Sequence, residues 1–191
     1  MNALVLLRHG LTRANEERLY GGSTDIPLSD DGRAMAEALR GERPLPACAR
    51  YVTSGMRRAD ETLLLLTGRR ADFTLDELRE MDFGRFEMHS YEQLMGDADY
   101  QTWISDETGL VPCPGGESRV SFRARVLSGG EQLLALGDES ALVVCHGGTI
   151  VNLMQAWFPE AGRNFYEWQP AACRGYRIAV EGGKPIGFEP V

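Results

Sequence analysis

The apolar run Ala3–Leu7 stops abruptly at Arg8-His9-Gly10. A short, unbroken apolar run reads as a strand buried on both faces. The pattern recurs at Ser140–Cys145, which is followed by His146-Gly147-Gly148. Tyr51–Ser54 predicts a shorter strand, and Gly175–Val180 and Ile186–Phe188 predict two more. Helical spacing fills the intervals. Asp30–Arg40 has Ser29 as a plausible N-cap, acids in its first turn and Gly41 behind its end. Arg57–Leu66 ends in a leucine run, with Gly68 as its stop. Ser90–Met95 and Ala98–Asp106 predict short helices in an irregular region, and Glu107–Glu117 predicts a loop rich in Gly and Pro. Ser118–Leu136 reads as a helix weakened by Gly129-Gly130, and Thr149–Phe158 as a further helix. Apolar strands alternating with helices predict a three-layer α/β fold, a mainly parallel sheet with helices on both faces. No repeat, low-complexity tract or linker divides the 191 residues, so a single domain over 1–191 is expected.

Composition narrows the partners. Net charge is −8, which argues against nucleic acid and against an anionic membrane surface. No window approaches the length of a membrane span, and the N-terminal apolar run is too short for a signal peptide. The four cysteines, Cys48, Cys113, Cys145 and Cys173, are widely spaced and are expected to be free thiols in a reducing, cytoplasmic compartment. His9, His89 and His146 show no metal-ligand spacing, so neither a metal nor another cofactor is expected. Lys184 is the one lysine among 20 basic residues. Any phosphate clamp must therefore be built of arginine, which suits bidentate recognition of phosphate oxygens. Oligomeric state leaves no mark in the sequence.

In open α/β sheets, ligands bind beyond the carboxyl ends of the strands. His9 and His146 both sit there, each followed by glycine, which permits tight turning and close approach to a ligand. If their strands are neighbours, two imidazoles face one crevice; the bland alternative is a pair of hydrogen-bonded core histidines. Arg57-Arg58 opens a helix, where the macrodipole prefers anions, so either an anion occupies that helix start or this is a solvated basic turn. Glu80 lies among Met81, Phe83 and Phe86. A carboxyl wedged there would have a raised pKa, as a general acid needs, unless these are surface acids on a loop.

In their order, these segments resemble the histidine phosphatase superfamily, also called phosphoglycerate-mutase-like. Arg8-His9-Gly10-x-Thr12-x-x-Asn15 is similar to its RHGxTxxN signature. Asp25-Ile-Pro27-Leu28-Ser-Asp-Asp-Gly32 is similar to D-x-P-L-T-x-x-G, and Ser54-x-x-x-Arg58-Ala59-x-x-Thr62 to S-x-x-x-R-A-x-x-T. Glu80 matches the acid of L-x-E-x-x-F-G-x-x-E, and His146-Gly147-Gly148 the second histidine. The resemblance covers nearly the whole chain. It implies a phosphohistidine mechanism acting on a small phosphorylated metabolite. His9 would attack phosphorus, while Arg8, Arg58 and His146 hold the phosphoryl oxygens and Asn15 adds a hydrogen bond. Glu80 would protonate the leaving oxygen and then deprotonate water.

Rival readings share the same residues. Cys113-Pro-Gly-Gly-Glu-Ser-Arg119 fits the C-x5-R loop of tyrosine phosphatases, but Pro114 removes a backbone N–H that such a loop needs. Read as Pro114-Gly-Gly-Glu-Ser118, it resembles the PGGES loop of the histidine phosphatases. Mutase-type phosphoryl transfer stays open, although mutases usually run longer. So does a catalytically silent, phosphate-dependent binding module, against which stands the intact set Arg8, His9, Arg58, Glu80 and His146. The segments Phe86–Met88, Tyr91–Leu94 and Tyr100–Trp103 are similar to α-ribazole phosphatases, which implies α-ribazole 5′-phosphate as a candidate substrate. Tyr91, Tyr100 and Trp103 are then candidates for an aromatic substrate rim, the alternative being core residues of short helices. Met88 stands where much of the superfamily has glycine, and Arg174 where small residues are common; either departure would reshape substrate access. Cys145 closes an apolar strand as a core thiol would, and His89 has no motif around it.

Overall fold

The computed structural model describes residues 3–42, 45–137 and 140–191. Its centre is a six-stranded sheet. The strands β1 (Ala3–Arg8), β2 (Arg50–Thr53), β3 (Phe73–Thr74) and β4 (Ala141–Cys145) run parallel, in the order β3-β2-β4-β1. Beyond β1, the antiparallel β5 (Gly175–Glu181) and β6 (Lys184–Pro190) complete the sheet. The helices are α1 (Arg13–Glu16), α2 (Asp30–Glu42), α3 (Arg57–Thr67), α4 (Tyr91–Leu94), α5 (Ala98–Ser105), α6 (Arg119–Leu134), α7 (Gly147–Trp157) and α8 (Phe165–Trp168). Among the described residues, no helix is long and apolar enough to cross a membrane.

The expected three layers follow from strand parity. Leu4 and Leu6 enter one core with Val143, Cys145 and residues of α6 and α7, including Phe122, Val126 and Ile150. Val5 and Leu7 enter the other with Leu142, Val144, Ala36 of α2 and Leu63 of α3. Both faces are covered, so these strands have no polar position to spare. Each fully buried leucine contributes about 1.5–3 kcal/mol.

Four local differences have physical causes. Strand β3 is two residues long, too short for periodicity to reveal. Helices α1 and α8 are single turns, each closed by a capping box rather than by an apolar stripe. Helix α2 continues through Gly41, because a glycine ends a helix when it turns left-handed, as Gly68 does at φ 73°, and Gly41 does not. In α6, Gly129-Gly130 is a contact surface. A β-carbon on Gly129 would lie 2.9 Å from Leu78, and one on Gly130 2.6 Å from Leu153.

Strand register aligns the chemistry. Arg8 pairs with Cys145, and Thr53 with Val144. The residues just beyond these ends, His9, Ser54 and His146, therefore emerge together at the carboxyl ends of three neighbouring parallel strands.

Candidate active site

The His9 N–H donates to the Cys145 carbonyl at 3.0 Å, so the nucleophile candidate is an extension of the β1–β4 ladder. Its ring lies 5.1 Å from that of His146, at 61°. Nδ1 of His9 lies 2.7 Å from the Gly10 carbonyl oxygen. A carbonyl only accepts, so Nδ1 carries the proton and Nε2 keeps its lone pair. The Gly10 N–H in turn donates to Thr62 Oγ1 at 2.9 Å, and that hydroxyl donates to the Arg58 carbonyl at 2.6 Å. Burial, reinforced by the Arg58 and Arg8 charges, lowers the His9 pKa to about 3. The imidazole is neutral and nucleophilic through the ordinary pH range.

His146 occupies the N-cap position of α7. Arg58 Nε donates to its Nδ1 at 3.3 Å, and Ser54 Oγ lies 2.7 Å from Nε2. A guanidinium only donates, so Nε2 bears the proton and gives it to Ser54. Burial, then the Arg58 charge, hold the His146 pKa well below that of an ordinary histidine.

Arg58 is 1% exposed, yet its remaining bonds go to neutral acceptors: Nη1 to the Thr24 carbonyl at 2.9 Å and Nη2 to the Gly22 carbonyl at 2.6 Å. Arg8 Nη1 donates to the Pro170 carbonyl at 2.9 Å, and its buried Nε has no partner. Among the described residues, neither guanidinium lies in an ion pair. Burial lowers both arginine pKa values, and the field of Glu80 pulls them back. Two guanidiniums without a direct carboxylate partner among the described residues, beside two neutral imidazoles, form a site that an anion completes.

The Glu80 carboxylate accepts the Met81 N–H at 3.0 Å and the Gly148 N–H at 2.9 Å. Burial raises its pKa; those two N–H groups, Arg58 and Arg8 oppose the rise. Gly148 has no left-handed φ. Its missing side chain is instead the space Glu80 occupies, since a β-carbon there would stand 2.4 Å from Oε1.

Arg8, His9, Arg58, Glu80 and His146 thus meet. Asn15 accepts the Thr12 N–H at 3.0 Å through its carboxamide oxygen while Thr12 caps α1 in return, so TxxN is here a capping box. Arg57 is exposed and paired with Glu61 at 3.1 Å. The anion at the start of α3 is Asp25, which accepts the Arg57 N–H at 2.7 Å. The aromatic rim is corrected at Tyr100 and Trp103. Tyr100 is fully buried and Trp103 nearly so, packed in one cluster with Tyr20, Phe83 and Phe86. Their burial excludes substrate stacking, and Tyr91 is an exposed ring against the edge of Tyr100. Arg174 lines a separate cleft of about 410 Å³ with Leu39, Leu66 and Val191. Met88 adopts φ 59°, a left-handed conformation that glycine takes without strain. Cys113 is buried, and that burial pushes its thiol up to about 12, the opposite of what a thiolate nucleophile needs. Cys145 is fully buried.

Long-range partners escaped sequence reasoning. Ser54 and Thr62 stand in a recognisable motif, but their roles toward His146 and Gly10 need the fold. Glu87 accepts the N–H groups of Gly22, Ser23, Thr24 and Phe83, fixing the loop whose carbonyls hold Arg58.

The profile of the histidine phosphatase superfamily (branch 1) matches residues 4–186. The chain belongs to that superfamily. The adenosylcobalamin/alpha-ribazole phosphatase of Salmonella typhimurium is 36% identical over 152 residues, 77% of this chain and 75% of that protein. The alpha-ribazole phosphatase from Shigella flexneri has the same fold, with a TM-score of 0.85 at 26% identity, over 96% of this chain and 93% of that one. A phosphoglycerate mutase from Thermus thermophilus gives 0.71 at 30% identity, over 97% of each chain. The alignment leaves about the same small share of each chain uncovered, so length does not separate the phosphatase and mutase readings.

Proposed function

We propose that this histidine phosphatase is a phosphomonoesterase that works through a phosphohistidine on His9 and needs no metal. The observation that carries this reading is the His9 tautomer. Its proton is tied to the Gly10 carbonyl, and the imidazole feels the charges of Arg8 and Arg58, which among the described residues lie in no ion pair. In the first step Nε2 bonds to phosphorus, the phosphorus–oxygen ester bond breaks, and the Glu80 proton passes to the departing oxygen. Arg8 and Arg58 hold the equatorial oxygens and stabilise charge as the group transfers. His146 joins them when phosphate displaces one of its present partners. In the second step water attacks phosphorus, Glu80 takes its proton, the phosphorus–nitrogen bond breaks and phosphate leaves. Family members named for alpha-ribazole phosphatase favour α-ribazole 5′-phosphate as substrate. Transfer to a second phosphoglycerate instead of water is the competing reading, favoured by the likeness to the T. thermophilus mutase.

The test is phosphate release from a panel of esters with chelator present, for wild type and His9→Ala together. The panel includes α-ribazole 5′-phosphate, 3-phosphoglycerate, sugar phosphates, nucleotides and p-nitrophenyl phosphate. One ester should stand out by about 100-fold, roughly 2.7 kcal/mol of differential transition-state binding, and His9→Ala should abolish it. Activity that survives His9→Ala overturns the reading. Mutase activity without phosphate release selects the competing one.

A further inference from the structure

We propose that Arg125, on α6, is the positioning residue for Glu80, acting through a clasp with Glu117. The proposal rests on the reading of Glu80 as proton donor. Residues 76–78 form a single 3-10 turn, and the chain then runs extended into Glu80. Such a turn leaves carbonyls without intrahelical donors. Arg125 supplies them. Its Nη1 donates to the carbonyls of Glu77 and Arg79 at 3.0 Å each, and its Nη2 to the carbonyl of Glu80 at 3.1 Å. The other edge of the guanidinium is taken by Glu117, with Nε on Oε1 at 2.8 Å and Nη2 on Oε2 at 2.7 Å. All five guanidinium N–H groups are thereby used. Glu117 also accepts the Asp82 N–H at 3.0 Å, so the clasp grips the chain on both sides of Glu80. From α7, Thr149 Oγ1 reaches the Leu78 and Arg79 carbonyls, at 3.2 and 3.1 Å. Glu80 is thus set by its backbone, while its carboxylate stays on the Met81 and Gly148 N–H groups. A lysine keeps the charge of Arg125 but has three donors on one atom, and cannot bridge these acceptors.

The test separates proton donation from general damage. An alkoxide leaving group needs the proton; nitrophenolate does not. The value of kcat/KM reports steps through phosphorus transfer and excludes the later hydrolysis. For β-glycerophosphate, Arg125→Lys should lower kcat/KM by about 10-fold or more, within the range a general acid supplies. For p-nitrophenyl phosphate it should stay within about threefold. Combining Arg125→Lys with Glu80→Gln should add no further loss on β-glycerophosphate, because one function is removed twice. Glu117→Gln, which keeps the side chain's shape and loosens the clasp, should repeat the selective loss and carries the test if Arg125→Lys does not fold. Equal losses on both esters, or none on either, overturn the proposal. If Glu80→Gln itself fails to distinguish the two esters, the assignment of Glu80 fails, and the clasp with it. If Glu80→Gln distinguishes them and neither clasp variant does, only the clasp fails.

Discussion

Gly148→Ala isolates the placement of Glu80 from the stability of the fold. A β-carbon at position 148 would stand 2.4 Å from Glu80 Oε1 and 3.2 Å from its Cδ. Ordinary contact begins at 3.4 Å, so the carboxylate must retreat by about 1 Å. The residue that moves is the end of a flexible side chain. Gly148 lies in the first turn of α7 without a left-handed φ, so alanine suits its backbone. In a helix, alanine is worth about 0.5–1 kcal/mol over glycine. Against this stands the hydrogen bond from the Gly148 N–H to a charged acceptor, about 1.5–3 kcal/mol if it is lost outright. The net destabilisation should lie within about 2.5 kcal/mol. Catalysis is less forgiving, since a misplacement of about 1 Å in a reacting group costs about 100-fold. We therefore expect kcat/KM for β-glycerophosphate to fall by about 100-fold. That for p-nitrophenyl phosphate should change by less than about threefold, since its leaving group needs no proton. A folded Gly148→Ala protein with wild-type kcat/KM on β-glycerophosphate would refute the claim that this glycine exists to admit the acid.

The same structure sets four further outcomes. Because burial raises the Glu80 pKa and the acid must be protonated, kcat/KM for aliphatic esters should fall as pH rises through that pKa, and Glu80→Gln should flatten this limb. His9 refuses a proton until about pH 3, while the unfolded chain accepts one near the ordinary histidine value. Folding stability should therefore drop as pH falls below 6.5, at up to about 1.4 kcal/mol per pH unit for this residue, and denaturant titrations should show a shallower drop in His9→Asn. Met88→Gly should raise the unfolding free energy by about 0.5–1 kcal/mol by relieving a left-handed backbone; a lower melting temperature would show that the Met88 side chain matters more. Inorganic phosphate at 100 times its Kd should stabilise the protein by about 2.7 kcal/mol, and Arg58→Met should lose most of that shift in a thermal melt.

The strand ends were legible because two unbroken apolar runs each stop at a histidine, and the parallel-sheet rule puts ligands at such ends. That β1 and β4 are neighbours is a matter of topology, and only the fold brings the imidazoles within 5.1 Å. Two adjacent arginines at a helix start pointed to an anion, and family spacing singled out Arg58. The physical reason is rotation along α3, which turns Arg58 inward and leaves Arg57 in solvent with Glu61. The anion at that helix start comes from Asp25, a cap too distant in sequence to be a local signal. Tyr100 and Trp103 lie three apart on a short helix, a spacing that suits a stacking rim and a core equally. Burial decides it, and burial is collective. Glu117 stood in a motif but without a role, and Arg125 left no trace, because a clasp made mostly of backbone carbonyls has no sequence pattern to read.

The protein carries a net charge of −8, yet its pocket must attract a phosphate. The way each arginine is partnered accounts for both. Arg13, Arg33, Arg57 and Arg85 pair with carboxylates at or near the surface, where such bonds contribute about 0–1 kcal/mol and cancel charge. Arg125 pairs with Glu117, where a rigid brace is wanted and a free charge is not. Arg8 and Arg58 are held by carbonyls. A carbonyl fixes a guanidinium as firmly as its geometry allows but leaves the positive charge standing, whereas a carboxylate would cancel it and compete with the substrate. Burying such a cation without a counterion costs several kcal/mol, visible in the lowered pKa of both arginines. Glu87 moderates that cost at one remove. Its carboxylate binds the N–H groups of residues 22–24, so the carbonyls of Gly22 and Thr24 are free to face Arg58. Its negative field stabilises the guanidinium, but its lone pairs are already occupied. The strongest direct neutralisation left to Arg8 and Arg58 is the one a phosphate dianion brings.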